Sequence, residues 1–171
     1  MLRTLILTIL LATATQAADN MGRWQSTTII KYAINDDAPK FAKETIRKAA
    51  SLWNGQSGGL VGFVEAKEKD AAVIVYWDKK RKHIPFNGIL GYCNVHRKDG
   101  FIYKADISIN AFEYKWPHEE YSLLAIVAHE FGHALGLGHA EGESALMCNP
   151  QYFGPKKADV DELKALYGVK R

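Results

Sequence analysis

A short histidine-rich stretch constrains the fold of this chain more than any other part of the sequence. His129 and His133 are four residues apart, so on an α-helix their imidazoles lie on one face, about one turn apart. The apolar residues between positions 121 and 137 predict such a helix. His139 follows six residues later and would point away from that face if the helix continued. We therefore expect Gly136 to end the helix, because glycine adopts the left-handed conformation at little cost, and to let His139 return towards the other two.

Three histidines at these offsets can bind one zinc ion, which accepts nitrogen ligands at about 2.0–2.1 Å. Three protein ligands leave the fourth position of a tetrahedral ion open, as catalytic zinc requires. Glu130 follows the first histidine and points to a neighbouring face, where hydrolysis needs a general base. The alternative is that helix and core histidines coincide at this spacing by chance. The presence of both Gly136 and His139 at the required offsets argues against it.

The stretch resembles the signature of the metzincin metalloproteases, His-Glu-x-x-His-x-x-Gly-x-x-His followed by a methionine turn. Met147 lies eight residues after His139. This spacing and the tripeptide Ala145-Leu146-Met147 most resemble the sequences of the matrixin branch, the matrix-metalloproteinase family. The resemblance implies a zinc-dependent endopeptidase with one catalytic zinc on the three histidines. It also implies that Glu130 is the general base and that Met147 forms a hydrophobic floor beneath the metal.

The same resemblance implies where a peptide substrate would bind. The edge strand that receives the substrate as an added antiparallel strand would consist of Ile89, Leu90, Gly91 and Tyr92. Ala125, four residues before the first zinc histidine, would lie at the bottom of the pocket for the side chain after the cleaved bond. A residue as small as alanine would leave that pocket deep and apolar.

Several positions depart from the family pattern. Cys148 and Asn149 follow Met147, so one wall of the specificity pocket is altered. His83 lacks an aspartate two residues later, and Tyr92 stands near a usual histidine, so we do not expect the structural zinc of matrix metalloproteinases. Calcium sites are left open. Haemopexin-like repeats are absent from the sequence, and the small catalytic unit resembles an exported bacterial form.

Periodicity along the rest of the chain predicts an α+β domain. The resemblance implies a twisted five-stranded mixed sheet with two long helices and a C-terminal helix. A turn at Lys98-Asp99-Gly100 is expected to join the last two strands. The predicted strands are 27–35, 60–65, 71–77, 89–94 and 102–110, and the predicted helices are 39–53, 121–137 and 159–167.

The first 17 residues have the pattern of a signal peptide: Arg3 near the start, an apolar run, and small residues at the end. That run is shorter than the ~20 residues that a membrane span needs. We therefore expect residues 18–171 to form a secreted or periplasmic catalytic domain, monomeric and without membrane attachment. The formal net charge of +3 is too small and too scattered to indicate a nucleic-acid partner. Cys93 and Cys148 could form a disulfide in that compartment or remain free thiols.

Two other functions share the zinc ligands. One is a zinc-binding but catalytically silent module, such as an adhesin or an inhibitor with this fold. Glu130 argues against it, because a structural zinc site needs no base. The other is a zinc hydrolase of non-peptide amides, and the expected open edge strand favours a peptide or protein substrate instead.

Overall fold

The computed structural model describes residues 21–25, 29–117, 122–140, 145–148 and 152–168. The expected signal peptide at residues 1–17 lies outside these ranges, and so does Asn149 in the altered wall. Within the described ranges, no helix combines the length and the apolar character needed to cross a bilayer.

Six strands form one sheet in the described part of the chain, accompanied by three α-helices, which confirms the α+β prediction. The strand order is β1-β6-β4-β2-β3, with β5 also paired to β6. Only the β5–β6 pair is antiparallel among the pairs described. The strands are β1 (Arg23–Trp24), β2 (Ile29–Ile34), β3 (Gly62–Glu65), β4 (Val73–Asp78), β5 (Gly91–Lys98) and β6 (Phe101–Asn110).

The expected count of five strands was one too few. β1 has two residues and pairs in parallel with the start of β6. A strand of that length shows no alternation of apolar and polar residues, so the sequence pattern does not reveal it. The other five strands are present near their predicted positions, but β5 begins at Gly91 and ends at Lys98, so Ile89 and Leu90 of the predicted substrate edge precede the strand.

β4 lies in the middle of the sheet, between β2 and β6. Five of its six residues are buried, as the unbroken apolar run from Val73 to Trp77 predicts for a strand covered on both faces. Asp78 ends the strand and accepts the backbone N–H groups of Lys80, Lys82 and His83 at 3.1, 3.0 and 2.8 Å. The basic loop that follows, residues 79–83, is exposed, as expected for a run of charged side chains.

Two helices pack against each other and against the sheet. α1 (Lys40–Gln56) buries its apolar stripe, and α2 (Leu123–Ala134) is buried almost throughout. Trp53 in α1 donates its indole N–H to the carbonyl of Ala128 in α2 at 2.7 Å. This contact fixes the position of the histidine-bearing helix relative to the core.

The ends of two helices differ from their predicted bounds. α2 ends at Ala134 instead of residue 137, and Gly136 follows in the left-handed conformation that was expected to end the helix. α3 spans Lys157–Tyr167, and Gly168 follows it in an extended conformation. The β5–β6 hairpin turns at Asp99 and Gly100, both with positive φ (52° and 79°), as the turn signal predicted.

Candidate metal centre and cleft

The structure brings the three histidines of the motif together. The ring centroids of His129 and His133 are 4.7 Å apart, and His139 lies 5.3 and 4.7 Å from them. One nitrogen from each ring lies within 4.8 Å of the others. A tetrahedral zinc ion with bonds of about 2.0–2.1 Å needs nitrogen separations of about 3.4 Å, so small rotations of the rings would complete the site. The three imidazoles therefore fit a zinc ion.

Backbone carbonyls determine which nitrogen of each buried histidine is available. Nδ1 of His129 lies 2.9 Å from the carbonyl oxygen of Leu146, and Nδ1 of His133 lies 2.9 Å from that of Leu137. A carbonyl only accepts, so each Nδ1 carries the hydrogen and each Nε2 keeps its lone pair for a metal.

Both buried imidazoles are held in the neutral form that binds metal. Burial, helped by the nearby charge of His129, lowers the pKa of His133 to about 3. Burial also lowers the pKa of His129 below its ordinary value. At neutral pH no proton has to be displaced from either ring before a metal ion binds.

The return of His139 depends on the end of α2. Leu137 N–H donates to the Gly132 carbonyl at 3.1 Å and Gly136 N–H donates to the His133 carbonyl at 2.8 Å, the two bonds of a Schellman motif. Gly136 has a φ of 97°, and a Cβ atom there would lie 1.8 Å from the carbonyl oxygen of Gly22. A side chain at this position would therefore collide with the N-terminal segment.

Met147 is fully buried and lies against α2. A Cβ atom on Gly132 would lie 2.2 Å from the Met147 sulfur, so the methionine occupies the space that this glycine leaves. Asp159, at the start of α3, accepts the backbone N–H groups of Leu146 and Met147 at 2.8 and 3.0 Å. Its carboxylate is fully buried and also accepts the N–H of Lys156 at 2.7 Å.

Asp159 was not recognised from the sequence as part of the site. Its place in the first turn of a helix suggests only the reach of an acidic side chain back to the helix start. The two bonds to the methionine turn arise from the tertiary structure.

A cleft of about 440 Å³ lies beside the histidines. Glu130 lines it and is buried, and burial raises the pKa of its carboxyl to about 8.

Ala125 is fully buried one turn before His129 and is not among the residues that line the cleft, so its role remains a prediction. Met21, not foreseen from the sequence, also lines the cleft. All four residues of the predicted substrate edge line it: Ile89, Leu90, Gly91 and Tyr92.

The register of β5 shows which of its backbone groups face away from the sheet. Leu90 lies opposite Asn110, whose N–H donates to the Leu90 carbonyl at 3.0 Å. Because backbone groups alternate between the two edges of an antiparallel strand, the N–H and C=O of Gly91 and Cys93 point away from β6. β5 pairs with β6 alone among the described strands, so this edge is open there.

Gly91 also permits a close approach to α2. A Cβ atom at this position would lie 2.7 Å from Oε1 of Glu130 and 2.9 Å from a side-chain methyl of Ile126. The strand and the helix therefore meet at the carboxylate, and the missing side chain leaves the space that Glu130 occupies.

Cys93 is a buried free thiol and Cys148 an exposed one, so the structure contains the second of the two alternatives. Burial, with the nearby charge of Glu130, raises the pKa of the Cys93 thiol well above its ordinary value. His83 stacks on Tyr76 with centroids 4.0 Å apart, and His96 Nε2 lies 2.8 Å from a carboxylate oxygen of Asp106. Neither joins the trihistidine cluster.

Only the trihistidine cluster brings three or more histidine, cysteine or acidic side chains into metal-binding proximity within the ranges that the structure describes. That observation does not test the predictions on structural zinc and calcium.

The α+β fold, the three converging imidazoles and the buried carboxylate beside them fit the class of zinc metalloendopeptidases. The sequence model of the matrixin family matches residues 23–168, and the chain belongs to this family.

Its relatives include human neutrophil collagenase (Homo sapiens), 28% identical over 160 residues, which cover 86% of this chain and 34% of that protein. Interstitial collagenase of Sus scrofa is 30% identical over 158 residues, covering 85% of the chain and 33% of the relative. A shorter match of 81 residues to the 72 kDa type IV collagenase of Gallus gallus is 40% identical, covering 43% of the chain and 12% of that protein. The chain thus spans about a third of the length of the first two of these relatives.

Proposed function

We propose that this protein is a zinc-dependent endopeptidase in which His129, His133 and His139 bind the metal and Glu130 is the general base. The observation that carries the proposal is the position of Glu130, buried in the cleft next to three histidines whose free nitrogens converge. A carboxylate at that place serves no ligand function and is well positioned to handle the proton of a water molecule. A purely structural metal site would have no use for it.

Bound zinc would polarise the scissile carbonyl and acidify a water molecule, which is the chemistry that this ion supplies in hydrolases. The protein's own contribution is the movement of the proton. A carboxylate oxygen of Glu130 accepts it from the attacking water and later donates it to the nitrogen of the leaving amine. Burial favours the protonated carboxyl, so Glu130 can hold the proton between the two steps. The positive charge of a bound zinc ion would lower the pKa of this carboxyl, so that it could accept the proton in the first place.

The substrate would be an extended peptide that pairs with the open edge of β5. The outward N–H and C=O of Gly91 lie close to Glu130, since Gly91 lies directly against that side chain. Main-chain bonds of this kind accept many sequences, and side-chain pockets then determine specificity. Ala125 is proposed to limit the depth of the pocket after the cleaved bond.

The two alternative functions make different demands on the site. A silent zinc module would tolerate the loss of Glu130 without any change in behaviour. A hydrolase of small amides would not need an open strand edge along the cleft, and β5 presents one among the strands that the structure describes. The observed geometry therefore favours a peptide or protein substrate. Export after removal of residues 1–17 and a monomeric state belong to the same proposal.

The test compares the mature chain with its Glu130→Ala variant in the cleavage of casein and of a peptide library. Bound zinc is measured in the same samples. The variant is expected to keep its zinc and to lose hydrolysis by about 10²-fold or more, and a chelator is expected to abolish wild-type cleavage. Glu68→Ala, an exposed glutamate in the turn Glu68–Asp70, is the matched control and should remain active. Activity of Glu130→Ala within a few-fold of wild type would refute the assignment.

A further inference from the structure

The segment just before β5, which forms the rim of the cleft, is tied to one residue at the end of β6. Gly88, Ile89 and Leu90 line the cleft. Asn110, the last residue of β6, is fully buried behind them. The contacts between these residues exceed what strand pairing alone provides.

The amide of Asn110 makes three side-chain hydrogen bonds. Its Nδ2 donates to the carbonyl of Ile89 at 2.7 Å and to Oε2 of Glu113 at 2.9 Å, and its Oδ1 accepts the backbone N–H of Glu113 at 3.0 Å. The same Glu113 oxygen accepts the N–H of Gly88 at 3.0 Å. Together with the backbone bond from Asn110 N–H to the Leu90 carbonyl, these bonds hold one backbone group on each of three consecutive rim residues.

Only asparagine has the right groups for this position. It offers two N–H donors and one oxygen acceptor on a short side chain, and all three are used here. Aspartate would set a second carboxylate against Glu113 and against the Ile89 carbonyl. An apolar residue would leave the carbonyl of the half-buried Ile89 without this donor.

The bond to Ile89 also decides where the open edge of the strand begins. Ile89 is two residues before Gly91, so in a regular continuation of β5 its carbonyl would face the same open edge. Asn110 turns that carbonyl inward instead. Among the described residues, Gly91, beside Glu130, is therefore the first whose N–H and C=O both face the open edge of the strand.

From this geometry we infer that Asn110 is a positioning residue. It holds Ile89 and Leu90 directly and Gly88 through Glu113, and it thereby sets the register in which a peptide docks on Gly91. The inference rests on the proposed function for its effect on substrate, but the ordering of the rim is independent of catalysis.

The test measures kcat and KM for a peptide substrate in Asn110→Ala, together with bound zinc. We expect KM to rise by about tenfold, because the docking edge loses its fixed position, with kcat within about threefold and zinc content unchanged. Asn54→Ala is the matched control. Asn54 also donates to and accepts from a backbone, that of Phe63 at 2.9 and 2.6 Å, but ties α1 to β3. Its KM should not change.

A second pair of variants, at Glu113, tests the inference even if Asn110→Ala does not fold. Glu113 is exposed, so Glu113→Ala can fold without a buried gap. It should raise KM by about threefold, and Glu113→Gln, which keeps an acceptor for Gly88, should restore it. An unchanged KM in both Asn110→Ala and Glu113→Ala would overturn the inference. Loss of zinc in Asn110→Ala would overturn it as well, since the residue would then support the metal site.

Hydrogen exchange separates this inference from the proposed function. The amide of Gly88 should exchange at least about tenfold faster in Asn110→Ala than in wild type or Asn54→Ala, whether or not the protein cleaves peptides. If wild type cleaves nothing but this difference appears, the proposed function fails and the rim attachment stands. Equal exchange in all three proteins would show that Asn110 does not hold the rim.

Discussion

Asp159 accepts the backbone N–H of Met147 at 3.0 Å, and this bond joins the C-terminal helix to the turn beside the metal site. The other carboxylate oxygen accepts the N–H of Leu146, whose carbonyl in turn accepts from Nδ1 of His129. A single buried carboxylate thus orients the peptide group that orients a candidate metal ligand. Second-layer contacts of this kind usually affect metal affinity as well as stability.

Asp159→Ala is therefore expected to destabilise the protein by about 3 kcal/mol or more, because three backbone N–H groups lose their acceptor. Zinc affinity should fall by about tenfold or more. Urea denaturation of the zinc-loaded protein and a competition titration with a chromogenic chelator measure the two effects. Asp161→Ala, an exposed aspartate on the same helix, is the control and should change neither. Equal stability of the two variants would contradict the role given to Asp159.

His139→Ala should weaken zinc binding by more than about 100-fold. Loss of a residue that only orients a ligand costs up to about 100-fold in metal affinity, and loss of a direct ligand should cost more. Zinc stabilises the folded state that binds it, so the rise in Tm on zinc addition should largely disappear. The metal-free Tm of the variant should stay close to that of the metal-free wild type, because this side chain is exposed. His83→Ala serves as the control, with a normal response to zinc. An unchanged zinc affinity would mean that the third ligand lies elsewhere.

Gly136→Ala should be far more damaging than alanine at another left-handed glycine. Gly58 has a φ of 63° with open space where an added Cβ would lie, so Gly58→Ala should lower the free energy of unfolding by about 1 kcal/mol. At position 136 the added Cβ also meets the backbone of Gly22, which cannot move without displacing the N-terminal segment. We expect a loss of about 3 kcal/mol or more, seen by chemical denaturation, and weaker zinc binding. Similar costs at both sites would show that the segment before β1 yields easily.

Ala125 is predicted to control the preference for the residue after the cleaved bond. Wild type should prefer leucine or methionine there over alanine and aspartate, since each buried methylene contributes roughly 0.8 kcal/mol. Ala125→Leu should shift the preference towards smaller residues. Because Ala125 is fully buried, the variant's Tm must be recorded beside its cleavage profile. A folded, active variant with an unchanged profile would place the pocket elsewhere.

Asp78 should contribute stability that disappears in acid. Burial raises its pKa, but three backbone N–H bonds outweigh that effect, so its pKa lies below the ordinary value of about 3.9. A carboxylate with a lowered folded-state pKa stabilises the protein fully above about pH 5, and the contribution is lost as the pH falls through the folded value. Asp78→Asn should therefore be less stable than wild type at pH 7, and the difference should shrink below about pH 4. Unfolding free energies of the metal-free proteins from pH 3 to 7 measure it, and a constant difference would exclude the mechanism.

Local sequence patterns predicted several features of this protein. The unbroken apolar run of β4, the turn at Asp99 and Gly100, and the spacing of the histidines are each visible within a dozen residues. Their conformations follow from backbone preferences and side-chain periodicity that operate over the same distance. For that reason the sequence alone predicted the α+β class, most strands and the candidate metal ligands.

Other features required the tertiary structure because they join residues far apart in the chain. Trp24 in β1 donates its indole N–H to the carbonyl of Ala134 at 2.8 Å, across 110 positions. The attachment of Asp159 to the methionine turn and of Asn110 to the cleft rim are contacts of the same kind. No local periodicity encodes them, because each side chain finds its backbone partner only after the packed elements bring the two within reach. The sequence by itself determined which residues can bind and which secondary structure carries them, and the packing of helices on the sheet decided which carbonyls, amides and carboxylates hold them in position.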